Sequence, residues 1–536
     1  MKQLIYTLVA LSLITSLLLS ACAKPAPSPT PTKPAATTQA PILTPKASPT
    51  PTAATAETPK YGGVFRAAET VPRSLIPEIN TISNWFTKVA YDTLLRIDEK
   101  GELQPFLATD WKLSPDSKSL TLGLRKGVKF HDGTDFNAAA VKFNMDIRKA
   151  RKLGDYEQVT SIDVIDDHTL RLNLSQFQNT LFNSLWFIAG MVTSPTAYQK
   201  FGRDDAQWNP VGTGPFKFVS YTKDSIIKYE RFDGYWQKGK PYLDGFHEVI
   251  FVDQTTRELA LRKGEVDAAT GLGSRNVAAM EKEGWSVISA PPEAYSVFVT
   301  DSANADSPFA NKKVREAVEY AIDKEAVVKA LGYGRQEALY QMTPSAYYAY
   351  IPDLRGRRYD SAKAKQLLAE AGYPNGFKTT IINRAGSDMD PLVAAASFFK
   401  EIGIEATIDN ADVGRFVTLT QQGWKNGLVN RSFRVPPDWL QFAYTYVSPT
   451  TTESKSMLRP PGFQELLEQA LAAPDMAGKK SASQAVIRKI YDEAMVLPLW
   501  ASLQSGVRHP YVRNIEYHFP WGANKLWSPA DIWLNK

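Results

Sequence analysis

Alternation of apolar and polar residues is the first order visible along the chain. "SLTLGLRKGVKF" (119–130) carries an apolar side chain at every second position and breaks at Lys126-Gly127, the pattern of a half-buried strand entering a turn. "HTLRLNLS" (168–175) repeats it after a turn at Asp166-Asp167. "GPFKFVSY" (214–221) and "SIIKYERF" (225–232) predict a paired hairpin, and "GGVFRAA" (62–68) predicts the first strand of the folded part. Further on the period lengthens. "NKKVREAVEYAI" (311–322) spaces Val314, Val318 and Ile322 for one helical face. Asp323 then caps "KEAVVKAL" and Gly332 stops it. In "DSAKAKQLLAEAGYPNGF" (360–377), Asp360 or Ser361 is the N-cap, Gly372 ends the helix and Pro374 lies just beyond. "FQELLEQAL" (463–471) and "SASQAVIRKIYDEA" (481–494) predict two more amphipathic helices. No fixed-period repeat is visible, so the pattern is mixed α/β and neither a solenoid nor a propeller.

Between a predicted strand and a predicted helix stands "KFHDGTDFNAAAVKF" (129–143). His131, Asp132 and Asp135 together suggest a metal or acid–base site. Yet Asp132-Gly133 is a turn pair and Asn137 is placed to cap the helix that follows. The stretch therefore reads as a strand–turn–helix corner whose polar side chains satisfy backbone groups. Catalytic signatures are missing elsewhere: there is no Gly-x-Ser-x-Gly elbow, Walker A loop or His-Glu-x-x-His. "VGTGPF" (211–216) and "LGYGRQ" (331–336) fit no phosphate loop. The five histidines stand far apart, at 131, 168, 247, 509 and 518. With 56 acidic residues a carboxylate pair for glycoside hydrolysis stays open on sequence alone.

Composition narrows the class. The 536 residues are 43% hydrophobic and 22% charged, with a net charge of +6 and no long basic run, which argues against nucleic acid as a partner. The single cysteine, Cys22, follows a short positive n-region and an apolar stretch, Leu4 to Leu19, too short for a comfortable membrane span. Leu19-Ser20-Ala21-Cys22 resembles the bacterial lipobox, in which the cysteine is acylated and becomes the mature N-terminus. Residues 1–22 are thus expected to be a lipoprotein signal peptide, and the mature body to lack any thiol. Residues 23–60, dominated by Pro, Ala, Thr and Ser, cannot bury enough apolar surface to fold. As an extended stalk at ~3 Å per residue they would reach on the order of 100 Å.

"YDTLLRIDEKGELQPFLATDWKLSPDSKSLTLGLRKGVKFHDGTDFNAAAVKF" (91–143) closely resembles the N-terminal signature of the family 5 solute-binding proteins, the dipeptide, oligopeptide and nickel-binding receptors of ABC importers. Other blocks agree in order: "VGTGPFKFVSY", "YWQKGKPYLDGF", "RELALRKGEVDA", "PFANKKVREAVEYAIDKEAVV", "YDSAKAKQLLAEAGYPNGFK" and "IRKIYDEAMVLPLW". Ala140 departs from the acidic residue usual at its place, which weakens a capping box. The resemblance implies an α/β fold of the periplasmic-binding-protein type (class II, the large cluster C form). Two lobes would close on a hinge, with one extra small domain. Lobe I would take 61–95, 190–298 and 506–536, the small domain 96–189, and lobe II 299–505.

By the same resemblance, ligand lies between the lobes and meets two segments. "NTISNWFTKV" supplies Ile82, Asn84, Trp85 and Phe86; "NRSFRVPPDWLQFAY" (430–444) supplies Arg431, Phe433, Arg434 and Trp439. Peptide-binding members carry an aspartate for the ligand's ammonium where Phe433 or Arg434 stands here. Arg434 could instead favour a ligand carboxylate, whereas Asp438 reads as structural. The expected function is a lipid-anchored monomeric receptor, without cofactor, metal or catalysis, that captures a peptide or similarly sized polar solute for an ABC permease and its ATPase. The alternatives are a metal-chelate or other non-peptide anionic solute, a secreted hydrolase, and a sensor or adhesion protein on the same fold.

Overall fold

In the computed structural model, residues 57–79, 85–98, 101–354, 356–436, 438–515 and 527–536 are described. The expected signal peptide, Cys22 and the stalk up to residue 56 lie outside them. The strands and helices follow the sequence pattern closely. β1 (Val64–Glu69) opens the fold and a short helix, α1 (Trp85–Ala90), follows. β2 (Ala108–Leu113), β3 (Ser119–Leu124), α2 (Ala138–Ala150), β4 (Val159–Asp166), β5 (Thr169–Leu174) and α3 (Leu181–Trp186) come next. The four strands make a separate antiparallel sheet, β2-β3-β5-β4, whose alternate leucines (Leu120, Leu122, Leu170, Leu172) are fully buried against α2.

The second, larger sheet has eleven strands among the described residues. One half holds β6 (Phe216–Thr222) and β7 (Ile226–Arg231), paired as the predicted hairpin, then β8 (Gly245–Ile250) and β9 (Ala268–Thr270) on either side of β1. The other half holds β11 (Lys378–Arg384), β12 (Glu405–Ala411) and β13 (Gly427–Arg434). Two long strands, β10 (Ser286–Thr300) and β14 (Leu497–Arg508), run between the halves and pair antiparallel over most of their length. The sheet order is β12-β11-β13-β10-β14-β9-β1-β8-β7-β6, and the eleventh strand, Gln336–Ala338, pairs with β14 off this path. The ladder of β10 on β14 shifts register between Ser289 and Pro292 and again between Pro292 and Ala294. Bulges there raise the local twist and break the regular pairing where the two halves of the sheet meet. Arg335 braces the same point, donating to Ser289, Ser505 and Glu281.

Caps fall where the chemistry asks for them. Asn137, Asp323 and Asp360 accept from the backbone N–H three residues on. One helix is longer than its pattern: α8 (Met476–Asp492) begins before Ser481, because Asp475 caps it through the Gly478 N–H. Its partner α7 (Phe463–Ala472) is as predicted.

Two acids sit in the core of the first half. Glu69 on β1 and Glu248 on β8 occupy neighbouring strands, and both are buried. Burial pushes Glu69 up to about 7, against the pull of the Arg257 charge and the Thr70 and Thr270 donors. It holds Glu248 well above the usual carboxylate range, with the Glu69 charge adding to the effect.

Candidate functional site

The order β12-β11-β13 contains a change of direction. From β11 the chain passes through α5 (Asp390–Glu401) to β12 on the outer edge, then through α6 (Val413–Gln422) back across to β13. Right-handed crossovers in opposite directions place the two helices on opposite faces. Accordingly, Leu392 and Phe399 of α5 pack with Ile381, while Phe416 of α6 packs with Ile382. The carboxyl ends of β11 and β13 are left as an open crevice, the place where open α/β sheets receive ligands.

A cavity of about 520 Å3 occupies this crevice. Arg384 ends β11 and Arg431 lies near the end of β13; continuing the β11–β13 register by two residues sets them side by side. Arg431 is held: it pairs with Glu453 at 2.8 Å and lies over the rings of Phe433 and Phe416. Arg384 is exposed and has no ion-pair partner among the described residues. Behind them an amide ladder crosses three strands, Asn430 donating to Asn383 at 3.0 Å and Asn383 to Asn410 at 2.9 Å. This leaves Asn430 Oδ1 buried without a donor on the cavity wall, as is Gln336 Oε1. Among the described residues the crevice thus presents one guanidinium without an ion-pair partner, backed by two buried carbonyl-type acceptors, a set suited to a polar solute carrying an acid group.

A second cavity, about 510 Å3, lies on the other side of the 430–444 segment. Its walls are Trp186 and Phe187 from the α3 region and Pro436, Tyr444, Thr445 and Thr451 opposite.

Several expected site residues fall elsewhere. Trp439 is a correction: it is fully buried, its indole N–H donates to the Met342 carbonyl at 2.5 Å, and it is core rather than cavity wall. Phe433 is likewise packed into that core, against Phe442 and Tyr446. Arg434 is exposed on the last residue of β13 and does not line the crevice. Ile82 and Asn84 lie outside the described residues; Trp85 and Phe86 begin α1. Asp438 is structural, as read: it caps Leu440 and accepts from Tyr348, Asn183 and Lys479. Arg384, Asn430, Gln336 and Glu453 were missed by sequence reasoning. The sole local signal was a strand pattern, "TTIINR", ending in polar residues.

His131 also has its answer. Its Nε2 bonds the Gly214 carbonyl at 2.9 Å and its Nδ1 accepts from the Gly212 N–H. Burial pulls its pKa down to about 4, so the ring is a neutral fixture between two backbone groups. Among the described residues no three His, Cys, Asp or Glu side chains gather as a metal would need, and no helix is long and apolar enough to cross a membrane.

The model of the bacterial extracellular solute-binding proteins, family 5 (middle region), matches residues 102–454. The chain belongs to this family. Family 5 receptors bind peptides or related solutes outside the cytoplasm for ABC importers, working with a permease and an ATPase; this chain is such a receptor and not an enzyme. A glutathione-binding protein from Escherichia coli O157:H7 is 30% identical over 440 residues, 78% of this chain and 85% of the relative. The ABC transporter-associated periplasmic binding protein DppA from Helicobacter pylori, solved with the peptide STSA, is 26% identical with a TM-score of 0.70, covering 89% of this chain and 99% of the other. A periplasmic murein tripeptide-binding protein, solved in an unliganded open form, has a TM-score of 0.73 at 18% identity, covering 89% and 97%. These matches carry the two-lobed α/β fold.

Proposed function

We propose that this receptor captures a short peptide, or a polar solute of similar size bearing a carboxylate, between its lobes and hands it to its permease. The carrying observation is the switch-point crevice, lined by lobe II and the β10 crossing, where Arg384 has no ion-pair partner among the described residues and stands beside Asn430 and Gln336. Arg384, rather than Arg434, is the cation placed to meet a ligand acid, while Arg431 is already neutralised by Glu453. A glutathione-binding relative and a peptide-bound structural neighbour support this ligand class. The open form of another neighbour supports lobes that part and close about the bulged crossing of β10 and β14. Lobe I is taken as 61–95, 190–298 and 506–536, the small domain as 96–189 and lobe II as 299–505. Ile82, Asn84, Trp85 and Phe86 are taken as lobe I ligand contacts on the family resemblance alone. Cys22 carries the lipid, and residues 23–60 tether the monomeric receptor to the outer face of the membrane.

The test is a thermal-shift screen of residues 58–536 with di- to penta-peptides, glutathione, C-terminally amidated peptides, metal chelates and organic acids. A ligand at a hundred times its Kd adds about 2.7 kcal/mol to stability. A shift with carboxylate-bearing peptides that amidation abolishes supports the reading. A shift with metal chelates alone moves the receptor to a non-peptide solute.

A further inference from the structure

The small domain touches its two neighbours in different ways. Its junction with lobe I is interlocked. Asn144 and Thr193, both buried, exchange hydrogen bonds in both directions, at 2.9 and 3.0 Å. Asp132 accepts from Ser194 at 2.6 Å, and Arg148 donates to the Pro77 carbonyl. Trp236 stacks edge-on against Phe106 beneath the Arg125 guanidinium. Parting these surfaces would strand several buried polar groups and open apolar area, so the two move as one body.

The contact with lobe II is looser: its polar ties come from Asn179 and Asn183, beside a cavity of about 250 Å3 walled by Phe182 and Trp186 on one side and Pro474 and Met476 on the other. Asn179, buried just before α3, donates its backbone N–H to the Leu471 carbonyl at 2.7 Å and its side-chain amide to the carbonyls of Ala470 (2.7 Å) and Ala473 (3.2 Å). Ala470 and Leu471 belong to the last turn of α7 and Ala473 follows it, a helix end whose carbonyls are largely without helical partners. Asn183, on α3, donates to Asp438 at 2.7 Å. Every lobe II group in this contact keeps or regains a partner when the surfaces separate. Asp438 retains Lys479 and Tyr348, and the helix-end carbonyls take water. Such a contact can break and reform without leaving a buried charge unpaired.

We propose that Asn179 and Asn183 are a latch by which the small domain, rigid with lobe I, grips lobe II and holds the cleft shut. Asn183 lines the second cavity as well, so the latch stands at the edge of the space between α3 and the 436–451 segment. The strands β10 and β14 join the lobes at one place and the latch joins them at another. The crossing sets the path of closure, and the latch sets how long the closed state lasts. This rests on the proposed opening and closing of the lobes, but not on which ligand binds.

The body beyond Cys22 has no cysteine, so dyes can be placed at will. Ile165→Cys in the small domain and Val393→Cys in lobe II are both exposed positions. Single-molecule energy transfer between them reports opening without a ligand. Asn179→Asp and Asn183→Asp keep the shape but replace the donors with acceptors that face carbonyls and Asp438. Together they should raise the open-to-closed ratio about tenfold or more, each hydrogen bond counting for a few-fold in an equilibrium constant. Unchanged melting of the small-domain sheet shows that the variants fold. Wild-type hydrogen exchange adds a readout free of substitution: the Asn179 amide should exchange far faster than those of Leu120 and Leu172, through lobe opening. If the double variant keeps the wild-type distance distribution while glutathione or a peptide still shifts both proteins, the latch is overturned and the receptor reading stands. If neither protein ever changes distance with any probe of the screen, lobe closure itself falls, and the latch with it.

Discussion

Replacing Glu69 by glutamine should flatten the pH dependence of stability between about pH 5 and 8. The Glu69 carboxyl lies at the end of β1 in the core of lobe I, and burial raises it from 4.5 to about 7. In the unfolded chain it returns to the ordinary value. Between the two values the native state holds a proton that the unfolded state has released, so stability falls as pH rises. The contribution is whole below about pH 4.5 and is lost as pH climbs through 7. At about 1.4 kcal/mol per pH unit, the gap amounts to roughly 3 kcal/mol. Glutamine has the same shape, does not titrate and can keep the Thr270 contact. Urea unfolding of residues 58–536 at pH 5, 6, 7 and 8 gives the comparison. Glu69→Gln should gain on the wild type as pH rises, most of the gain appearing by pH 8. Glu248 is raised in part by the Glu69 charge, so the same comparison in a Glu248→Gln background isolates Glu69. A difference that stays constant across this range would refute the reasoning, since it would mean that Glu69 is already ionised in the native protein.

Arg384→Gln should weaken a carboxylate-bearing ligand by about 1.5–3 kcal/mol in calorimetric titration, while Arg434→Ala, which lies off the crevice, should leave it nearly unchanged. The reverse ranking would return the role to Arg434. Glu319, buried between Lys324 and Arg357 at 3.4 and 3.0 Å, anchors an internal charge cluster in lobe II. Glu319→Ala should cost about 3–5 kcal/mol in urea unfolding by leaving two buried cations short of a partner. Cys22→Ala in the full chain should move the receptor from the membrane fraction to the soluble one, and metabolic labelling with a fatty acid should be lost with it.

Much of this architecture was legible because it is local. Asp323 and Asp360 announce helix starts by their own side chains, and "SLTLGLRKGVKF" announces a strand by its own alternation. The corner at His131 could be read as scaffold because Asn137 caps the next helix whatever the rest of the chain does. The site was less legible for a physical reason. A strand's two faces look alike until its neighbours are known, so the stretch around Phe433 does not itself say whether that ring meets a cavity or the core that holds it. Arg384 carries meaning through strand order alone: it is the last residue of β11, and the crevice exists because β12 and β13 lie on opposite sides of that strand. Nor does "VGTGPF" state that Gly212 and Gly214 are there because a Cβ would strike Ala90 at close range.

The joining of the lobes by β10 and β14 bears on affinity in its own right. A pair of hydrogen-bonded strands is already ordered before any solute arrives, unlike a flexible linker that must be frozen as the lobes meet. In the closure proposed above, a ligand that draws the lobes together need only twist a ribbon at the Ser289–Ala294 bulges. Little of its interaction energy is then consumed in ordering backbone, and more is left to appear as tight capture from dilute surroundings.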